Sequence, residues 1–381
     1  MIKRICRLAL CAVLIFSLCA CGAGQNGVFT LKSEKEIFSG YHKGGHVQGI
    51  AVDTERGFVY YSFTTRLVKT DFDGTLLGSV VDLTGHLGCI TFDAENNKIY
   101  GSLEYKHDDI GKGIEKATGK KIADVDAFYA VCFDCEKITE EDISAEDNAI
   151  MTAVYLADVA DDYSARDTIG GYMHRYGCSG IDGTALGPVF GAAPDSEKKI
   201  MIAYGIYGES DRLGNDYQII LQYDRSIFAE YGKPLRQLEP HRSGPGSCEA
   251  KYFFYTGNTE YGIQNLEYDS YTNSYFAAVY AGKKAAFNNY GMFFIDALTA
   301  PEEKELEERN GERALVLSPS MALAKPDKNG ITGIHFRYGA EGMVSLGNGK
   351  YYFSKPGHSL LKNAYTSTVC LYGADFYEQY E

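Results

Sequence analysis

Tryptophan is absent from the 381 residues, proline occurs only 9 times, and 37 basic residues face 51 acidic ones. The formal charge of -14 excludes a surface built to neutralise a phosphate backbone, so nucleic acid is set aside as a partner. No segment after Ala20 is apolar and long enough to cross a bilayer, which leaves the N-terminus as the only route to a membrane. Nucleophile and phosphate motifs are missing as well. Gly180-Ile-Asp-Gly183 lacks a nucleophilic serine, and no glycine-rich loop leads into a lysine. Cys132-Phe-Asp-Cys135 has the spacing of a redox or zinc motif, but no second such pair completes a tetrahedral site. Beyond residue 21, cysteines 89, 132, 135, 178, 248 and 370 are spaced irregularly, several within apolar runs, and are read as buried thiols.

What remains is a foldable, strand-forming chain. Hydrophobic residues make up 45% and charged residues 23%, enough to bury a core. The 30 Tyr and 20 Phe favour strands, and 42 Gly supply turns.

The N-terminus places Lys3, Arg4 and Arg7 before an apolar run from Leu8 to Ala20, the layout of a secretory signal. The run ends in Leu18-Cys19-Ala20-Cys21-Gly22, which resembles the lipobox of bacterial lipoproteins. That resemblance implies a signal over 1–20, lipidation of Cys21, a tether over 21–27 and a body facing outward from a bacterial membrane or envelope.

From residue 28 onward a three-part pattern recurs. Its first part is a small-residue turn leading into a strand: Gln48-Gly-Ile-Ala-Val-Asp53, Gly88-Cys-Ile-Thr-Phe-Asp93, Asp182-Gly-Thr-Ala-Leu186, Gln264-Asn-Leu-Glu-Tyr-Asp269 and Glu341-Gly-Met-Val-Ser345. An aromatic, β-branched strand follows each, as in Phe58–Ser62 and Lys350–Ser354, and then a third strand usually ending in aspartate, as in Leu67–Asp71 and Ala130–Asp134. A fourth appears at Leu76–Val81 and Ala314–Leu317, and Val28–Leu31 is spare at the other end. These repeats resemble a β-propeller. The expectation is one all-β domain over 28–381, a five-bladed propeller of four-stranded blades with the last closed by the N-terminal strand; six blades are the alternative. The surplus is assigned to insertions, among them 109–121, 140–147, 241–250 and a helix near 300–310, whose Pro301 and acidic first turn suit a helix start.

In a propeller the first strand of each blade lines the central tunnel, so sequence repetition becomes spatial clustering. Gln48, Gly88, Asp182, Gln264 and Glu341 then share one level of the tunnel. The oxygens of Gln48, Asp182, Gln264 and Glu341 suit Ca²⁺ or another divalent metal, or else hydrogen-bond one another and water. Strand alternation carried backward toward the mouth adds His46 and His42, His86, Tyr176 and His174, Glu260, and Arg337 and His335. Of these, His46, His86, His174, Tyr176, His335 and Arg337 are the expected binding set, and His46, His86 and Glu341 the acid–base candidates. Tyrosines at 204–207 and 268–271 offer faces for sugars. Five-bladed glycosidases carry acidic residues on several innermost strands, whereas here blades 1 and 2 offer Gln48 and Gly88. Propeller polysaccharide lyases are closer in residue type but match no motif. The readings are a lipid-anchored propeller binding a polar ligand such as a glycan, a metal-assisted lyase or hydrolase at the same place, or a structural envelope lipoprotein.

Overall fold

The structure, a computed structural model, describes residues 36–378 except 215, 258 and 286. These residues form five antiparallel blades around an axis. Blade 1 runs outward through Val47–Asp53, Phe58–Phe63, Arg66–Asp71 and Leu76–Val81, and blade 2 through His86–Asp93, Lys98–Tyr105, Ala127–Asp134 and Met151–Tyr155. Blade 3 begins with Ile181–Pro188, Lys198–Tyr204, Tyr217–Tyr223 and Ala250–Tyr255. Blade 4 comprises Ile263–Asp269, Ser274–Val279, Met292–Asp296 and Gly333–Ile334. Blade 5 joins Met343–Ser345, Lys350–Ser359 and Ala364–Gly373 to Glu36–Phe38. The N-terminal strand therefore closes the last blade, with Glu36 opposite Cys370 and Phe38 opposite Thr368. Val28–Leu31, the strand expected in that role, lies outside the described residues.

Two local rules hold the repeat together. The aspartate that ends a strand accepts the backbone N–H groups of the following turn: Asp53 from Glu55 and Arg56, Asp93 from Glu95 and Asn96, Asp269 from Tyr271 and Thr272. Each such turn ends in a left-handed residue, Gly57, Asn97 and Asn273 respectively, residue types that accept that conformation at low cost. The second rule concerns the small residue that follows the tunnel position. A Cβ on Gly49 would stand 2.9 Å from the Cα of Cys89, and one on Gly342 2.9 Å from the backbone nitrogen of Ile50. Neighbouring innermost strands approach that closely because they converge on the axis.

Between blades the core is aliphatic and aromatic, with Tyr60, Leu87, Val131 and Phe133 between blades 1 and 2 and Ile200, Leu221 and Phe253 between 2 and 3. Cys89, Cys135, Cys178 and Cys370 are buried, Cys132 and Cys248 are free like them, and burial pushes the Cys132 thiol up to about 12 and that of Cys135 to about 11. Such thiols are protonated at neutral pH and serve as small core residues.

The insertions depart from expectation in one place. Residues 302–306 form a strand and not a helix, paired with Glu312–Val316 around Asn310 and Gly311, both left-handed. Glu312–Val316 in turn lies parallel to Ala250–Tyr255 and extends blade 3 to six strands. Sheet pairing overrides the helix propensity of the Glu-rich run, and Ala314–Leu317 thereby belongs to blade 3; Gly333–Ile334 is the fourth strand of blade 4. The 109–121 excursion is a helix, Asp109–Thr118, capped by the Asp108 side chain. Ile143–Ser144 adds a fifth, parallel strand to blade 1.

Candidate functional site at the tunnel mouth

The innermost strands of blades 1 to 4 each break register near their first residues, between Val47 and Gly49, Leu87 and Ile90, Ile181 and Thr184, and Ile263 and Asn265. These bulges fall on Gln48, Gly88, Asp182 and Gln264. A bulged residue is released from the ladder and its side chain re-aimed, so one irregularity, repeated four times, turns the equivalent positions toward the axis.

Above them opens a cavity of about 770 Å³, lined among others by His46, Gln48, His86, Glu104, Lys106, Asp182, Tyr207, Gln264 and Tyr280 and rimmed by the helix Asp109–Thr118 through Ile110 and Ile114. Its charged wall belongs to blade 2. His86 and Glu104 are cross-strand partners, and Nδ1 of His86 stands 3.6 Å from both Glu104 Oε1 and Asp182 Oδ1. Glu104 also accepts from Lys106 Nζ at 2.6 Å and from the Ile181 backbone N–H at 2.8 Å. Burial opposes its charge, but Lys106 and His86 hold the carboxyl below its ordinary value. Burial likewise opposes protonation of His86, yet Glu104 and Asp182 hold it above its ordinary value. Asp182 shares the imidazole of His86 with Glu104, and burial pushes it up to about 7 despite that neighbour. Two glycines make room for this wall. A Cβ on Gly88 would meet Ser102 Oγ at 2.4 Å and Asp182 Oδ1 at 3.0 Å, and one on Gly180 would meet Glu104 Oε2 at 2.3 Å.

The opposite wall is amide and aromatic. Gln48 Nε2 lies 3.1 Å from both His46 Nε2 and Thr64 Oγ1. Tyr207, Tyr261 and Tyr280 pack edge to face, with centroids 5.4 to 6.3 Å apart, and Tyr207 remains 45% exposed. Glu341 is not among the residues lining the cavity, but its charge raises the Tyr280 phenol, after burial the largest influence on it. Burial pushes Glu341 itself up to about 7, opposed by Arg337.

Of the residues expected at the site, Gln48, Asp182, Gln264, His46 and His86 line this one cavity, and the others lie elsewhere. His174 and Tyr176 stand on the outer side of blade 3, His174 against Tyr163 and Tyr176 donating to Glu312. Both residues, with Gly177, have left-handed backbones, so the chain before Ile181 coils and strand alternation does not extend back through it. His335 packs in a tilted contact against Tyr290, centroids 4.8 Å apart, where the chain crosses from the outer strand of blade 4 toward the axis. Arg337 is not among the residues lining the cavity, and its charge opposes the rise of Glu341. His42 is buried with Nε2 2.6 Å from the Ser39 carbonyl, a link within blade 5. Tyr204 is buried and donates to Asp162, and Tyr268 packs on Tyr275. Of the four residues expected to hold a metal, Gln48, Asp182 and Gln264 line the cavity and Glu341 does not; Gln264 Nε2 donates to the Gly262 carbonyl at 3.4 Å.

Glu104, Lys106 and Tyr280 were not anticipated, whereas Tyr207 is one of the tyrosines offered for sugars. The signal for the first two was present. Glu104 and Lys106 alternate with the apolar Leu103 and Tyr105 at the mouth end of the second strand, polar residues where a strand leaving the core meets the tunnel.

No protein-family model matches the chain, and no curated protein matches it. Among solved structures it is similar to native Bacillus subtilis arabinanase Arb43A, with 11% identity, a TM-score of 0.36, and coverage of 87% of this chain and 96% of that one.

Proposed function

We propose that this chain is a bacterial lipoprotein, held to the outer face of a membrane through Cys21, whose propeller binds a polar ligand of glycan type at the tunnel mouth. One observation carries the binding reading. Within a cavity of about 770 Å³, the buried Nδ1 of His86 and Oδ1 of Asp182 have no hydrogen-bond partner among the described residues. Buried polar groups are rarely left unpaired, and each is stabilised when a hydroxyl-rich ligand supplies the bond. Tyr207 adds an exposed aromatic face, which suits the apolar face of a sugar ring. The test is a glycan array probed with the soluble chain beginning at Gly22, followed by calorimetry. Asp182→Ala and Tyr207→Ala should each weaken a genuine hit by roughly tenfold or more, and unchanged affinity in both would place the ligand elsewhere.

A second reading, hydrolysis or elimination at the same place, is favoured by the pair Asp182 and Glu341, both pushed up to about 7 by burial. A carboxyl that titrates near neutral pH can deliver and recover a proton. Incubation of array hits with the protein separates the two readings, because an enzyme releases new reducing or unsaturated ends and loses them in Glu341→Gln, while a binder releases none.

A further inference from the structure

Blade 5 ends in a hairpin that outgrows the blade. Lys350–Ser359 and Ala364–Gly373 pair along their whole length, but the innermost strand accompanies them only as far as Phe353. Residues 354–359 therefore project past it on the mouth side, by about 20 Å at ~3.3 Å per residue. The tip is apolar where a water-facing turn is ordinarily polar: Leu360 is 85% exposed and Leu361 101%. Behind the tip, Tyr41 and Phe38 are half-exposed with ring centroids 5.4 Å apart, and Lys362 Nζ lies 3.6 Å from the Tyr41 ring centroid. Two leucines leading, with tyrosine and lysine behind them, is the polarity gradient of a lipid–water interface.

A second observation comes from where the chain enters the fold. Glu36 opens the strand that pairs with this same hairpin, at the level of Cys370. Fourteen residues lie between Cys21 and Glu36, a reach of up to about 48 Å. The tip lies roughly 20 to 25 Å along the hairpin from Cys370 at ~3.3 Å per residue, well inside that reach.

We propose that the Leu360–Leu361 tip inserts into the lipid surface to which Cys21 is attached. The idea rests on the lipid-anchor reading for which surface is met, and on the hairpin alone for whether lipid is bound. Lys43, Asn363 and Tyr365 line the cavity, so a docked tip brings the cavity mouth alongside the bilayer and directs it toward ligands at the membrane surface.

The absence of tryptophan makes the test direct. In the chain beginning at Gly22, which carries the whole closed ring and no lipid, Leu361→Trp introduces the single indole. Leu298→Trp, beyond the opposite ends of the strands, is the control at a half-exposed site. With phosphatidylcholine vesicles the Leu361→Trp emission should shift to the blue and be quenched by brominated lipid, while the control stays unchanged. Flotation of the otherwise unaltered chain should fall roughly tenfold in L360E/L361E. Indole emission indifferent to vesicles, equal flotation, or a dimer that L360E/L361E disperses would each overturn the proposal. Palmitate labelling of the full chain and of Cys21→Ser tests the anchor separately: a failed label with positive vesicle binding removes the anchor alone, and the converse removes the finger alone.

Discussion

Nδ1 of His86 lies 3.6 Å from Oδ1 of Asp182, across the seam between blades 2 and 3, and neither buried atom has a hydrogen-bond partner among the described residues. The two groups are electrostatically joined without being bonded. Lys106 neutralises Glu104 on one side of the imidazole, which leaves Asp182 as the carboxyl free to change charge. The pair is thus poised to respond to whatever enters the cavity.

Because Asp182 helps hold His86 above its ordinary pKa, Asp182→Asn should lower the affinity of that imidazole for a proton and move its titration to lower pH. An NMR titration of the ring checks this. A midpoint that does not move would mean that Glu104 alone sets the charge of His86.

Glu267 offers a stability test away from the cavity. Burial pushes its carboxyl up to about 8, against ~4.3 in an unfolded chain. The native state then keeps a proton that the unfolded state has lost, so its contribution to stability falls as pH rises across that window and levels above about 8. Asp182 slopes the same way up to about 7. Glu267→Gln retains an oxygen to accept from the Ser345 N–H, now bonded at 2.9 Å, and should add about 1 to 3 kcal/mol above pH 8, read from urea melts over a pH series.

Asp162 is a hub on the helix Ala157–Ser164. It is fully buried and accepts from Arg175 at 2.6 Å, from Lys251 at 2.7 Å and from Tyr204. Asp162→Asn leaves two cations without their counter-charge, and a loss of about 3 to 5 kcal/mol is expected. Chemical denaturation measures it, and a cost under ~1 kcal/mol would show that the cations find solvent instead.

Closure of the ring depends on a short strand. Ile37, 1% exposed, packs with Val47, Val59 and Val369. Ile37→Ala should cost about 2 to 4 kcal/mol in a single transition, since the closing strand is part of one continuous ring. Two transitions by circular dichroism would instead show blade 5 opening on its own.

Much of the fold could be read because the propeller repeats its physics. The strand-end aspartates at 53, 93 and 269 recur because each satisfies the N–H groups of the same turn. The small residues Gly49, Gly183 and Gly342 recur because innermost strands leave no room for a side chain there. The tunnel ring of Gln48, Asp182 and Gln264 follows from that alignment. What was hidden is not periodic. His174 and Tyr176 sit in a coiled segment whose left-handed residues break the alternation, and nothing in their spacing from Asp182 announces it. The strand at Glu302–Leu306 has a helix-like sequence, and only its pairing partner makes it extended.

Taken alone, the sequence favoured five blades over six and determined the first three strands of each blade, the turns between them and the ring of Gln48, Asp182 and Gln264 at the axis, because these follow from local rules applied repeatedly. Tertiary structure decided which of those residues share an environment. His86 meets Glu104 through cross-strand register and Asp182 across a blade seam, the bulges turn four strands inward at one level, and the overlong hairpin of blade 5 carries Leu360 and Leu361 out beside the cavity mouth. Those relations depend on how separate strands are packed against one another, and packing distances between strands far apart in the chain are not written in the pattern of any one of them.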